Sequence, residues 1–226
     1  MSFRIFTALT AAAASVLSLG AVTSDEVLAK MDSASPKFSS MTASINRVTY
    51  TRVLDEKQVE SGTIRLRKSG KELQVFMEIM KPDPKLMAFR GRTAEIYLPR
   101  LHTVQVYDLG KQGQLVDQFL LVGFGAAGRD LRANYDIKLL GEETVAGQKA
   151  FKLQLTPRNV KLKEKLQNVV LWIDDSGTYP VQQQFLEPSG DYYLFTYSDI
   201  KLNPGLTEDS LKLKVPKGTK REVLNK

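Results

Sequence analysis

A chain of 226 residues that is 42% hydrophobic can bury a sizeable core, which excludes global disorder. Its net charge of +7 keeps nucleic acid, anionic lipid and acidic proteins open as partners. With no cysteine, disulfides, thiolate chemistry, cysteine-ligated metals and lipidation through a lipobox are all excluded.

Residues 1–24 read as a secretory signal. Arg4 supplies the positive start, Ile5 to Val22 the apolar run, and Ser18, Gly20 and Ser24 the small residues for cleavage between about residues 20 and 24. The run is just long enough to remain as a membrane anchor, but its alanine-rich middle and polar exit at Thr23-Ser24-Asp25 favour cleavage. Residues 25–226 are then expected to form a single exported, soluble domain.

Asp25 to Lys37 is predicted to be a helix, capped by Ser24 or Asp25 and ended by Pro36. Val27, Leu28, Met31 and Ala34 fall on its apolar face. Ile45 to Val53 opens a sheet. From Gly62 to Tyr107 apolar residues take every second place, in the order Ile64 and Leu66, then Leu73, Val75, Met77 and Ile79, then Ala94, Ile96 and Leu98, then Val104 and Val106. Short connectors rich in turn residues, such as Lys68-Ser69-Gly70, Pro82-Asp83-Pro84 and Arg90-Gly91-Arg92, separate the runs. An antiparallel meander with one apolar wall follows. Its expected wall is Leu66, Leu73, Val75, Met77, Ile79, Phe89, Ile96, Leu98, Val104 and Val106.

Gly113 to Phe124 breaks the alternation and is predicted to be a short, very apolar helix. It fits two roles equally, a plug for one end of a barrel or a movable lid over a cavity. The lid would consist of Leu115, Phe119, Leu120, Val122 and Phe124. Gly123 to Gly128 matches G-x-G-x-x-G, but a helix-like stretch precedes it and a strand soon follows. A dinucleotide fingerprint needs the reverse order, so this stretch reads as a flexible hinge. Tyr135 to Leu140 and Gln148 to Thr156 flank a hairpin, Asn159 to Gln167 is a lysine-rich loop or short helix, and Val181 to Leu186 and Tyr192 to Ile200 form a last hairpin. Tyr193, Phe195 and Tyr197 either line a cavity or pack the sheet. Roughly ten strands with one helix before them and one inserted give a mainly β, α+β chain built as a curved sheet or barrel.

Several segments now carry a resemblance. Glu60 to Lys68 is similar to a G-x-L-x-V-K-R segment, and Arg90 to Pro99 to a D-G-K-x-L-W-x-Y-x-P segment. Leu171-Trp172-Ile173-Asp174, Tyr197-Ser198-Asp199-Ile200 and Val215-Pro216-Lys217-Gly218 follow in the same order. In order and spacing the chain resembles the LolA family of periplasmic lipoprotein carriers, over nearly its whole length. The resemblance implies an unclosed antiparallel β-barrel covered by helices, which ferries acylated lipoproteins or another lipid from an inner-membrane ABC transporter to an outer-membrane receptor. Shielding a sixteen-carbon chain from water is worth on the order of 10 kcal/mol, and Met77, Met80 and Met87 suit cargo of imprecise shape. The family's first segment ends in Arg-Pro, and that arginine helps hold the lid by bonding its backbone carbonyls. Here the aligned residue is Lys68, followed by Ser69. Lysine offers a point charge without the planar fork, so Lys68 is the latch candidate, and a weaker closure or a different cargo is expected. RseB-type envelope-stress sensors and LolB-type receptors share the fold. The latter need a lipobox cysteine, and the former a further C-terminal domain for which no residues remain after Lys226. An envelope sensor or assembly module that binds protein is therefore the alternative function.

Enzyme chemistry finds little purchase. His102 is the only histidine, so neither a catalytic triad nor a histidine-rich metal site can be assembled from it. Asp174-Asp175 precedes Ser176-Gly177 and reads as a turn rather than a hydrolytic pair. Trp172 is expected to pack the sheet. The basic residues are not interleaved with aromatics on one face, which argues against nucleic acid. No catalytic residue, metal or cofactor is expected, and the chain is expected to be monomeric.

Overall fold

In the computed structural model, residues 22–70, 72–109 and 122–224 are described. The predicted signal up to residue 21 and the predicted lid residues Leu115, Phe119 and Leu120 lie outside them.

The first helix, α1 (Ser24–Ala34), is capped by Thr23 rather than by Ser24 or Asp25. The Thr23 hydroxyl accepts from the Glu26 amide, and the Glu26 carboxylate accepts from the Thr23 amide at 2.7 Å. This reciprocal box satisfies two otherwise unpaired donors. A 3-10 turn, Ser35–Lys37, replaces the predicted last helical turn, because Pro36 lacks the amide hydrogen that would continue it.

Twelve strands follow: β1 (Ser40–Thr51), β2 (Glu56–Ser69), β3 (Glu72–Lys81), β4 (Lys85–Arg90), β5 (Thr93–Leu98), β6 (Thr103–Asp108), β7 (Tyr135–Val145), β8 (Gln148–Pro157), β9 (Asn168–Asp174), β10 (Pro180–Leu186), β11 (Tyr192–Leu202) and β12 (Lys220–Leu224). They form one sheet in the order β12-β6-β5-β4-β3-β2-β1-β11-β10-β9-β8-β7. The two ends are different strands, so the sheet curves without closing, as the mainly β, unclosed expectation required. Two local meanders, β1 to β6 and β7 to β11, meet along the antiparallel ladder of β1 with β11. Among the described strands only β12 runs parallel to its neighbour, pairing Lys220 with Thr103 through Leu224 with Tyr107.

One face of the sheet carries most of the core. Val27, Leu28 and Met31 of α1 pack on Leu153, Leu155, Val169 and Leu171 of the second meander. Phe38 and Phe124 pack on Met41, Ile45, Leu66, Val75, Met77 and Ile79 of the first. On the opposite, convex face, Phe76 and Ala88 are covered by Leu211, which is fully buried. Arg65 fastens this cover by donating to the Ser210 carbonyl at 2.8 Å while its guanidinium lies 5.0 Å from the Phe76 ring centre. Trp172 also lies buried on the convex face, donating its indole N–H to Glu143 at 2.6 Å.

The glycine stretch has a packing role in place of the expected hinge. A short helix, α2 (Gly128–Asn134), begins at its last glycine. A Cβ at Gly128 would stand 2.2 Å from the Leu28 carbonyl oxygen, and one at Gly125 2.4 Å from the Phe38 ring. Glycine is required there because α2 and the chain before it lie flush against α1 and Phe38. A last helix, α3 (Val160–Lys163), is capped by the Asn159 side chain and buries Leu162, so the lysine-rich stretch takes the helical option.

Gly128→Ala is therefore expected to cost about 1–3 kcal/mol of stability through overpacking. Urea denaturation measures it, and an unchanged midpoint would contradict the close approach of α1 and α2.

Candidate functional site

Direct cross-strand partners share a face, so the ladders decide which predicted wall residues meet. Leu66 stands opposite Val75, Lys68 opposite Leu73, and Val75 opposite Phe89. Met77 pairs with Met87, and Met87 with Ile96. Leu66, Leu73, Val75, Met77, Ile79, Phe89, Ile96 and Leu98 thus share the concave face. Val104 and Val106 do not. They pair with Tyr97 and Glu95, whose side chains point to the convex face. Leu98 pairs with Thr103 across the four residues Pro99 to His102, which reverses the parity that simple alternation assumed. Thr103, Gln105 and Tyr107 take the concave positions instead.

Leu66, Leu73, Val75, Met77 and Ile79 are each at most 3% exposed and pack against Phe38 and Phe124. Phe124 meets the Tyr197 ring edge-on at 5.0 Å. Val122 and Phe124 belong to a turn and bend, not to the predicted helix. They are held by a residue that sequence reasoning passed over. Gln183, 1% exposed, donates its amide to the Val122 carbonyl and accepts from the Tyr197 hydroxyl at 2.6 Å. Ser35 donates to the Gly125 carbonyl at 2.7 Å. Lys68, the expected latch, is exposed beside a small cavity of about 200 Å³ bordered by Leu73, Phe124 and Gly125. Among the described residues its ammonium meets no carbonyl of this turn. The Val122 carbonyl is bonded from β10 by the neutral Gln183 amide, while the lid carbonyls of residues 115–120, which a latch would hold, lie outside the described residues.

The roomier space on the concave face lies further along. A cavity of about 480 Å³ opens between Leu166, Phe185, Tyr193 and Phe195, with Glu164, Lys165 and Glu187 at its border. Its volume falls in the range of roughly 300–1,000 Å³ usual for small-ligand sites. Phe185 and Phe195 meet edge to face at 6.0 Å, and Phe185 pairs directly with Tyr193 across the last hairpin. Of the two roles left open, Tyr193 lines the cavity, Phe195 both lines it and packs against the core, and Tyr197, 3% exposed, packs. Burial, then the Glu187 carboxylate, pushes the Tyr193 hydroxyl above its usual range, while Arg47 pulls it the other way.

Across from Phe195 in the β1–β11 ladder stands Arg47, whose other neighbour is Glu60. Glu60 pairs with Arg47 and, at 2.5 Å, with Lys85 of β4. All three side chains are mostly buried, Glu60 to 13% exposure. Asp174 and His102 each belong to a turn. Asp174 accepts from the amides of Ser176, Thr178 and Tyr179 in its turn, and His102 is the exposed left-handed residue that ends the turn before β6. Among the described residues no cluster of three metal-ligating side chains occurs, and no helix is long and apolar enough to cross a membrane.

An open antiparallel sheet with helices and an apolar cavity on its concave face is the LolA-like fold. The sequence model of a family described as "Uncharacterized protein" matches residues 84–209, more than half of the chain, and the chain belongs to that family. Among solved structures it is similar to MucB, at 18% identity and a TM-score of 0.52 over 84% of this chain. The chain spans 62% of MucB's own length. It is similar, at 16% identity and a TM-score of 0.53, to an uncharacterized conserved protein from Thermus thermophilus, over 89% of this chain and 98% of that one. A LolA superfamily protein from Nitrosomonas europaea matches at 17% identity and a TM-score of 0.41, over 85% of this chain and 99% of that one. At such identities the likeness is one of fold. No curated protein matches the chain.

Burial holds the Tyr197 hydroxyl far above its usual range, so only its neutral form fits the core. The folded value lies above that of an unfolded tyrosine, about 10. Its stabilisation is thus complete below about pH 10 and is lost as pH rises further. Tyr197→Phe, which strands the Gln183 carbonyl, is expected to cost about 1–2 kcal/mol at neutral pH. The gap between variant and wild type should narrow towards about pH 11 in urea titrations; a gap that is the same at both pH values would speak against the buried neutral hydroxyl.

Proposed function

We propose that the protein is a non-enzymatic carrier that works in the cell envelope and shields the acyl chain of a lipoprotein or another lipid. The observation that carries this reading is the cavity walled by Leu166, Phe185, Tyr193 and Phe195 on the concave face of a LolA-like sheet. Each methylene moved from water into such a space gains about 0.8 kcal/mol, so a non-covalent site can hold a long chain. The apolar run before Val22 supports export to the periplasm with the signal removed. An inner-membrane ABC transporter as donor and an outer-membrane receptor as acceptor complete the proposal.

One observation favours a second reading, a sensor or assembly module that binds protein. The first meander's concave face is filled by Phe38 and Phe124 instead of standing open. Native mass spectrometry of protein purified without detergent from its own envelope separates the two. Bound lipid or lipoprotein supports the carrier; protein that is reproducibly empty and takes up no acyl probe supports the sensor. Tyr193, being 38% exposed, can be changed without emptying the core. Tyr193→Asp is expected to weaken a fluorescent acyl probe by roughly tenfold or more, since a buried carboxylate is costly beside a methylene chain. Unchanged binding by a folded variant would move the ligand out of this cavity.

A further inference from the structure

The Arg47–Glu60–Lys85 cluster has no assigned role, and its charge does not balance. Two cations share one carboxylate on the concave face, at exposures of 22%, 21% and 13%. Half-buried charges are costly to keep unless matched, so one positive charge here is left for another partner. The Arg47 Nε and the Glu60 Oε2 are both buried without a hydrogen-bond partner among the described residues, the latter being in ion-pair contact with Arg47. The cluster also adjoins the apolar cavity. Arg47 is the direct cross-strand neighbour of Phe195, and Thr49 that of Tyr193, both of which line it. Side chains so paired have Cβ atoms about 5 Å apart. The pull of Arg47 on the Tyr193 hydroxyl places its charge at the same wall. The acids at the cavity, Glu164 and Glu187, lie at its border with Lys165, and Asp191 stands beyond them at the hairpin. The wall thus grades from apolar to cationic along one sheet face.

From this juxtaposition we infer that Arg47 and Lys85 receive the anionic head group, carboxylate or phosphate, of an amphiphile whose acyl chain lies in the cavity along Phe185, Tyr193 and Phe195. The inference rests on the carrier reading and narrows its cargo to anionic amphiphiles. Glu60 holds both cations at the sheet, which leaves them oriented before the ligand arrives. A guanidinium also offers the planar pair of donors that carboxylate and phosphate accept.

The test measures the full chain's affinity for three ligands of equal chain length: hexadecanoate, hexadecyl phosphate and hexadecan-1-ol. The wild type is expected to prefer both anions over the alcohol by roughly tenfold, the worth of one charge-assisted hydrogen bond. Lys85→Gln keeps the Arg47–Glu60 pair and removes the surplus charge. It should abolish most of that preference and leave alcohol binding unchanged. The triple replacement Arg47→Gln, Glu60→Gln and Lys85→Gln removes the charges together, and should behave the same way with no carboxylate left unpaired. Alcohol and anions bound equally by the wild type would overturn the head-group site and leave the carrier standing. So would a preference that survives in either folded variant. Inorganic phosphate displacing hexadecyl phosphate at equal concentration would mark a free-anion site and also overturn it. Failure of all three ligands to bind would sink the carrier reading and the inference with it.

Discussion

A sheet that curves without closing must bury one face along its whole length, and this requirement organises the rest of the molecule. No single element spans twelve strands. The concave face is therefore covered piecewise, by α1 over the second meander and by Phe38 and the turn carrying Phe124 over the first. The cavity lies where neither cover reaches, beside the last hairpin.

The same requirement explains where polar groups enter the interior. Covering a sheet with a turn brings backbone carbonyls indoors, and each needs a donor. Gln183 supplies one to Val122, and the Tyr197 hydroxyl fills its remaining acceptor. Lysine from the strand end would bring a charge to a place that a neutral amide serves without a counter-ion. At Val122 the donor is the neutral amide, and Lys68 stands exposed at the strand end.

What could be read from the sequence follows from how local each signal is. Alternation from Leu66 to Ile79 fixed a concave face because turn-linked neighbours pair with each other. Beyond Leu98 the same rule failed, because the length of the Pro99–His102 turn sets the parity and the apolar pattern does not report it. Thr23 was legible in principle: Glu26 stands three residues on, the spacing of a capping box. Tyr193 and Phe195 were noticed, but their partners Thr49 and Arg47 lie far away in the chain. Gln183 sits between two other glutamines; alternation with Phe185 puts it on the apolar face, but its partner Val122 lies far away in the chain. The covering role of Leu211 was hidden within a stretch dominated by lysines.

The β1–β11 ladder has a kinetic side. Met41 pairs with Leu202 and Tyr50 with Tyr192, so this seam joins contacts of very high sequence separation, whereas each meander is built from neighbours. Ordering such distant segments carries loop-closure entropy before any contact repays it, and the seam is expected to form late. Arg47 lies on one side of it and Phe195 on the other. An amphiphile that touches both binds only the joined sheet and holds it together by mass action. Cargo would then act as a staple across the join expected to form late, and release of cargo would remove that staple.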